Sequence, residues 1–191
     1  MSMNGFKTGK PAQKRICMNG EEDNKMSEMI EKKQAESDVL IMTERLASLY
    51  YHMVQSIREE IGDEKAEEVV RRAILNYGNE CGQGTRAKVE ALGKEPTLAN
   101  YALGKDLPSV GWQRTKCEGL PENERASCVT FCPFAAKWKE YGFEKWGRMY
   151  CHIDQAKYRS YNENLVCIHD KNQLDGDECC IVRIEDHTAD K

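Results

Sequence analysis

The sequence lacks the long apolar run that a membrane-spanning helix requires. No stretch approaches the roughly 20 consecutive apolar residues needed to cross a bilayer, although hydrophobic residues make up 40% of the chain. The basic residues 1–15 contain neither an apolar core nor a small-residue cleavage site, so they do not form a secretory signal. We therefore expect a soluble protein of the cytoplasm that has no membrane partner.

An excess of positive charge is also absent. The chain has 28 Lys and Arg against 32 Asp and Glu, which gives a formal net charge of -4. Surfaces that bind a phosphate backbone need clustered Lys and Arg. We therefore expect no nucleic acid partner.

The C-x-x-C pairs of zinc ribbons and thioredoxin-like sites are missing, although the chain contains nine cysteines. In a reducing compartment such cysteines are expected to be free thiols rather than a disulfide framework. They concentrate in the second half of the chain, at Cys17, Cys81, Cys117, Cys128, Cys132, Cys151, Cys167, Cys179 and Cys180.

Residues 1–33 are polar and predict a flexible arm, which leaves 34–187 as a single domain. From Asp38 onward, apolar residues recur at three- and four-residue steps and predict a helix that ends at Gly62. We expect this stripe to pack in the core, the alternative being a contact with a second subunit in a homodimer. Its members are Met42, Leu46, Leu49, Tyr50, Met53, Val54, Ile57 and Ile61.

A second helix follows and carries Gly78, Gly82 and Gly84 on one side. Glycine in a helix interior costs about 1 kcal/mol relative to alanine, so it usually marks the close approach of another backbone or of a ligand. Helix packing is the favoured interpretation, and contact between Gly82 and a substrate is the alternative.

After Pro108 the pattern changes to strands that alternate with helices. The strands are predicted over 110–117, 126–131, 164–170 and 178–185, and two helices over 133–141 and 143–158. Asp175-Gly176 predicts a two-residue hairpin turn that sets His169 opposite Val182 and Lys171 opposite Cys180. The sequence therefore predicts an α+β fold, in which N-terminal helices pack on a mainly antiparallel sheet with two inserted helices.

Cys132 is the first candidate for chemistry, because it directly precedes Pro133, a residue favoured at the first position of a helix. Its sulfur would face the positive end of the helix dipole, where a thiolate is stabilised and the thiol pKa falls. Such a thiol is a nucleophile or a metal ligand.

Cys151, Asp154 and Tyr158 are spaced to share one helix face. They can form part of a site, or they can be a partly buried cysteine beside a solvated carboxylate. On the last hairpin, alternation turns Cys180 inward together with Cys167, His169, Val182 and Ile184.

Two interpretations of these thiols remain open. Cys132, Cys151 and Cys180 could converge on zinc or iron, with Asp154 or His169 completing the shell. Alternatively, Cys132 could attack a substrate without a metal while a nearby acid or base moves the proton.

Three short segments resemble the bacterial L-2-amino-thiazoline-4-carboxylic acid hydrolase family. They are Cys132-Pro133, Tyr150-Cys151-His152-Ile153-Asp154 and Gly176-Asp177-Glu178-Cys179-Cys180, within a similarity that covers roughly Asp38 to Ile184. The last segment is also similar to 4-vinyl reductase type ligand-binding domains, whose sensor members hold a cysteine-bound zinc. Their Glu-x-x-Cys before the hairpin is missing in this sequence.

The resemblance implies a hydrolase that opens a C–N bond of a small cyclic amidine or thiazoline-like compound by adding water. Such a site needs a nucleophile or activated water, an acid for the leaving atom, and a cation for a substrate carboxylate. We assign these roles to Cys132, Asp154 and Arg86, with Cys151, Gly82 and Tyr158 beside them. The alternatives are a small-molecule-binding or sensing module without catalysis, and a structural domain whose cysteines fill the core.

Overall fold

The computed structural model of the protein describes residues 31–104 and 106–188. The predicted arm over 1–33 falls almost entirely outside these ranges, as does Cys17. Its last residues, Lys32 and Lys33, already belong to the first helix, so the folded part begins slightly earlier than the pattern predicted.

Two long helices form residues 32–91 of the described chain, as the periodicity predicts. Helix α1 spans Lys32–Ile61 and α2 spans Asp63–Ala91. Gly62 separates them with a φ of 77°, a left-handed conformation that glycine adopts without a steric penalty. A 3₁₀ helix, Leu98–Leu103, follows and is capped by the Thr97 side chain, which accepts a hydrogen bond from the Asn100 backbone N–H.

The buried face of α1 differs from the predicted one. Thr43, Ala47 and Val54 are buried, whereas the large side chains of Met42 and Met53 are 65% and 56% exposed. Leu46 and Leu49 are exposed on the same stripe. The helical period was therefore right, and core packing is confirmed for Val54, Tyr50 and Ile57. It was wrong for the exposed members of the stripe, because small residues such as Ala47 let α1 approach the aromatic core closely.

An aromatic core fixes α1 against the second half of the chain. Trp138, only 1% exposed, donates its indole N–H to the carbonyl of Ala47 at 3.1 Å. Tyr50 donates its hydroxyl to the carbonyl of Trp146 at 3.0 Å and contacts the Trp138 ring. The indole N–H of Trp138 and the hydroxyl of Tyr50 are thus hydrogen-bonded, while the two rings pack in the core.

The structure has three helices where the sequence predicted two inserted helices. Helix α3 spans Pro133–Glu140, α4 spans Glu144–Tyr150 and α5 spans Ile153–Tyr161. The predicted single helix over 143–158 is interrupted after Tyr150. There, Cys151 N–H bonds to Arg148 O and Asp154 N–H to Cys151 O, which are three-residue turns rather than α-helical bonds.

Four strands form one antiparallel sheet in the order β1-β2-β4-β3, which confirms the α+β class. The strands are β1 Gln113–Lys116, β2 Glu124–Phe131, β3 Leu165–Lys171 and β4 Cys180–Asp186. In the described ranges no helix is long and apolar enough to cross a membrane.

The last hairpin confirms one predicted pair and corrects another. His169 lies opposite Val182 as predicted, but Lys171 lies opposite Ile181 rather than Cys180, because the register shifts between His169 and Lys171. The connection is also longer than two residues, since β3 ends at Lys171 and β4 begins at Cys180. The inward direction of Cys180 is unaffected by this difference.

Helix α5 packs on α2 through its glycines, as the favoured interpretation predicted. A Cβ on Gly78 would lie 2.7 Å from the Cβ of Ala156, and one on Gly82 would overlap the carbonyl oxygen of Lys157. The alternative of a substrate contact at Gly82 is not supported, because a protein backbone occupies that space. A Cβ on Gly84, by contrast, would meet nothing within 4 Å.

We expect Gly82→Ala to lower the free energy of unfolding by about 1–3 kcal/mol, since overpacking would force α5 away from α2. Gly84→Ala is the matched control on the same helix. It should raise stability by about 0.5–1 kcal/mol, because it adds helix propensity without a clash. Urea denaturation of the full chain measures both, and equal effects at the two positions would contradict this account of the packing.

Candidate functional site

A cavity of about 740 Å³ is lined by residues of the sheet, α5 and the 3₁₀ helix. All three thiols of the predicted constellation line it, and so do the predicted Asp154 and Tyr158. Gly82 and Arg86 are not part of the lining. The sulfurs that are distant in sequence therefore share one ligand-sized space.

The strand register orders the sheet wall of this cavity into three rows. A thiol row contains Arg114, Val129 and Cys180, and a middle row contains Lys116, Ser127, Val182 and His169. An end row contains Arg125 and Ile184, beside the buried Cys167, which is not part of the lining. Neighbouring rows are two residues apart along each strand, which is about 7 Å. Helix α5 crosses the rows in the same direction. Cys151 directly follows α4, before α5 begins, and Tyr158 lies near the far end of α5.

Cys132 lies where the sequence predicted, between the end of β2 and the start of α3. The backbone N–H groups of Ala135 and Phe134, and the indole of Trp112, favour its thiolate. Burial has the larger effect and raises the thiol pKa above its usual value. The predicted fall in pKa is therefore wrong, because desolvation of the anion outweighs the helix N-terminus.

The other two thiols are protonated for the same reason. Burial is the main cause that raises the pKa of Cys151, to about 12, and it also raises that of Cys180. The Cys180 sulfur accepts the Gln173 backbone N–H at 3.3 Å. A negative charge on Cys180 would raise the pKa of Cys132 further, and one on Cys132 would raise that of Cys151, so the neighbouring thiols also favour one another's protonated forms.

The residues do not fit a metal ion. In residues 31–104 and 106–188, no three His, Cys, Asp or Glu side chains are grouped so that they could hold one. The predicted zinc or iron set of Cys132, Cys151 and Cys180 gains no support from this geometry.

A buried charge cluster lies next to the thiols. The Lys157 ammonium is 3.2 Å from Asp154 and 3.0 Å from Asp106, and its side chain is 6% exposed. The other carboxylate oxygen of Asp154 is 3.2 Å from Nε2 of His169. Burial raises the pKa of Asp154, but Lys157 and His169 together lower it to about 2.

Asp154 is therefore a fixed carboxylate at neutral pH. The same cluster raises the pKa of Lys157 well above its usual value, although burial alone would lower it, so this lysine stays an ammonium. Neither group exchanges a proton readily near neutrality. The predicted role of Asp154 as a proton shuttle fits this environment poorly, and an orienting role toward His169 fits it well.

Two buried polar atoms at the cavity have no hydrogen-bond partner in the described part of the chain. They are Nδ1 of His169, whose side chain is only 3% exposed, and the hydroxyl of Tyr101. An unpaired buried polar atom costs about 1–3 kcal/mol. Both residues line the cavity, so these atoms mark positions where a ligand or water would bind.

Arg86 does not reach the cavity. It pairs with Glu90 at 2.8 Å on the exposed side of α2, so the predicted carboxylate clamp is not at this residue. Arg114 and Lys116 are exposed on the edge strand β1 and line the cavity. They are exposed cations of the lining, together with Arg125.

Sequence reasoning missed Lys157, Arg114 and Lys116. For Lys157 a signal was present, because it follows Asp154 by three residues and so shares its helix face. For the β1 pair the only signal was strand alternation, which shows that Arg114 and Lys116 share a face but not which face lines the cavity.

The depressed pKa of Asp154 predicts acid sensitivity. Its ionised form is favoured in the folded state, so the stabilisation is present above about pH 4 and is lost as the pH falls toward about 2. We expect roughly 2 kcal/mol of stability to disappear across this window, and Asp154→Asn to flatten the profile. Chemical denaturation at a series of pH values measures this, with Glu80→Gln, an exposed carboxylate on α2, as the control. An unchanged slope in Asp154→Asn would contradict the assignment.

Comparison with solved structures adds a distant match. A crystal structure of a trafficking protein particle complex subunit 3 from Naegleria fowleri, covalently bound to palmitic acid, aligns with a TM-score of 0.48 and 14% sequence identity. The alignment covers 76% of this chain and 95% of that chain. Among curated proteins, no significant match was found.

Comparison with family models supplies the classification. The model described as L-2-amino-thiazoline-4-carboxylic acid hydrolase matches residues 42–184. This range contains α2, the sheet except for the last two residues of β4, and the cavity residues, including the three thiols and the charge cluster. The chain belongs to the L-2-amino-thiazoline-4-carboxylic acid hydrolase family, a family of hydrolases.

Proposed function

We propose that the cavity hydrolyses a small cyclic amidine or thiazoline-like compound at the ring carbon that is double-bonded to nitrogen. The observation that carries the proposal is the arrangement in one cavity of a thiol at a helix N-terminus, an oriented histidine, and unpaired buried hydrogen-bonding atoms. Family membership supports hydrolysis in general. The substrate class and the cysteine-rich pocket are our own assignments.

Cys132 is the proposed nucleophile. Because its thiol is protonated, the S–H group adds across the C=N bond, the sulfur to carbon and the proton to nitrogen. A ring bond from that carbon to nitrogen or sulfur then breaks while a nitrogen that stays on the carbon loses a proton and re-forms the C=N bond. The departing atom takes a proton, and the opened compound stays attached to Cys132. Water adds to the same carbon and the Cys132 thiol leaves. The net reaction consumes one substrate and one water, forms the ring-opened product and regenerates the Cys132 thiol.

His169 is the group proposed to carry protons in these steps. Asp154 holds Nε2 and leaves Nδ1 unpaired in the cavity wall, where it can exchange a proton with substrate or water. The negative charge of Asp154 stabilises the imidazolium that forms, and Lys157 keeps Asp154 ionised. Asp154 is thus a positioning residue for His169.

Removal of the proposed nucleophile tests the covalent step. We expect Cys132→Ala to lower kcat by at least about a thousandfold on any ring compound that the wild type opens. Cys128→Ala is the control, since Cys128 does not line the cavity. Mass spectrometry follows the gain of one water, and thiol titration shows whether a C–S or a C–N bond breaks. Full turnover by Cys132→Ala would assign the attack to water instead.

The β1 cations provide the proposed carboxylate site. We expect Arg114→Gln and Lys116→Gln to raise KM about tenfold each for a ring compound bearing a carboxylate. This is the lower end of what loss of a charge-assisted hydrogen bond of about 1.5–3 kcal/mol implies, because both side chains are exposed to solvent. The corresponding carboxamide should show no change. Arg86→Gln is the matched control, because Arg86 lies outside the cavity. An equal effect on acid and amide would move the carboxylate elsewhere.

A second candidate is a binding or sensing module without catalysis. The raised pKa values of Cys132, Cys151 and Cys180 favour it, because a buried neutral thiol is a poor nucleophile. Its signature would be tight binding of ring compounds without turnover, measured by calorimetry alongside the mass assay. Turnover that Cys132→Ala abolishes would exclude this candidate.

A further inference from the structure

The cavity extends well beyond the space near the thiols. The three thiols Cys132, Cys151 and Cys180 lie at the end of the cavity that contains the thiol row. Ile184 in the end row lies about 13 Å from Cys180 along β4. Its volume of about 740 Å³ lies in the upper part of the range for sites that enclose drug-sized ligands. A bare five-membered ring held at the thiols leaves the remaining space unfilled.

That remaining space is mainly apolar. Beyond His169 the sheet wall is formed by Val182 and Ile184. The 3₁₀ helix and two loops supply the facing apolar residues, which are Leu98, Ala99, Ala102, Leu107, Leu120 and Pro121. The buried charges Lys157, Asp154 and Asp106 bind one another on the other side. Glu122, Glu124 and Arg125 also line the cavity, and of these Glu122 and Arg125 are exposed to solvent.

The two halves of the cavity are joined at a polar boundary. Tyr101 and Tyr158 stack with ring centroids 4.4 Å apart, and the unpaired Tyr101 hydroxyl is electrostatically coupled to Lys157 and Asp154. A molecule that spans the cavity would therefore meet polar atoms at its reacting end and mainly apolar side chains at its other end, where Arg125 is the neighbour of Ile184 on the sheet.

We propose that the substrate is a cyclic amidine or thiazoline that carries an unbranched hydrocarbon arm, with the ring at Cys132 and His169 and the arm along Val182, Ile184 and the 3₁₀ helix. This inference rests on the proposed function for the placement of the ring. The arm supplies binding free energy through burial of apolar surface, about 0.8 kcal/mol for each methylene.

A homologous series tests the arm. The substrates are 2-amino-thiazolines whose ring bears hydrogen, ethyl, butyl or hexyl, and kcat/KM is measured with the full-length protein. We expect kcat/KM to rise about fourfold for each methylene until the end row is filled. Equal kcat/KM values across the series would overturn the arm while leaving ring hydrolysis in place.

Filling the apolar half tests its location. Ala102→Phe should abolish the rise with chain length, because the new ring occupies the space of the arm. Leu103→Phe is the matched control, since Leu103 is the next residue of the same helix and is 50% exposed outside the lining. It should retain the rise. Ala99→Phe probes the same space if thermal unfolding shows that Ala102→Phe is not folded.

Binding separates this inference from the proposed chemistry. Affinity for the same series is measured by tryptophan fluorescence, since Trp112 lines the cavity, and Trp112→Phe identifies its share of the signal. If no ring compound is turned over but affinity rises with chain length and Ala102→Phe removes the rise, the proposed hydrolysis fails and the arm site stands. If affinity does not depend on chain length, the arm site is overturned.

Discussion

The close approach of α5 to α2 is the constraint on which the rest of the site depends. Gly78 and Gly82 remove the side chains that would separate the two helices, so the backbone of α5 rests directly on α2 at Ile153 and Lys157. With its backbone fixed in this way, α5 presents Asp154 and Lys157 to the cavity rather than to solvent. A helix held only by long side chains would position these charges less accurately.

The charge cluster is the second requirement, because charges in a partly buried wall are costly unless they are paired. Lys157 binds one carboxylate on its own helix and another, Asp106, from the segment before β1. It therefore links the cavity wall to a segment that is distant in sequence. One ammonium keeps Asp154 ionised, and Asp154 in turn orients His169.

Two opposing effects set the pKa of the Cys132 thiol, and their relative sizes decide whether the thiol is protonated. A helix N-terminus stabilises a nearby anion by about 0.3–1 kcal/mol at exposed sites and by up to about 2 kcal/mol in partly buried ones. Burial can change a pKa by several units, each worth about 1.4 kcal/mol. At Cys132 both effects are present and burial is the larger. Chemistry at this cysteine therefore requires that its proton be transferred during the reaction.

The sequence alone determined the helical and strand segments, the antiparallel α+β class, the helix start at Cys132-Pro133 and the inward direction of Cys180, because these follow from local periodicity, capping and alternation. Of the site residues that the sequence predicted, Cys132, Cys151, Asp154 and Tyr158 line the cavity, whereas Arg86 and Gly82 do not. Tertiary structure decided which α1 face is buried, that Lys157 also reaches Asp106, and that the thiols remain protonated. Burial and long-range pairing are set by residues far apart in the chain, whereas a local pattern encodes only pairs such as Asp154 and Lys157 on one helix face.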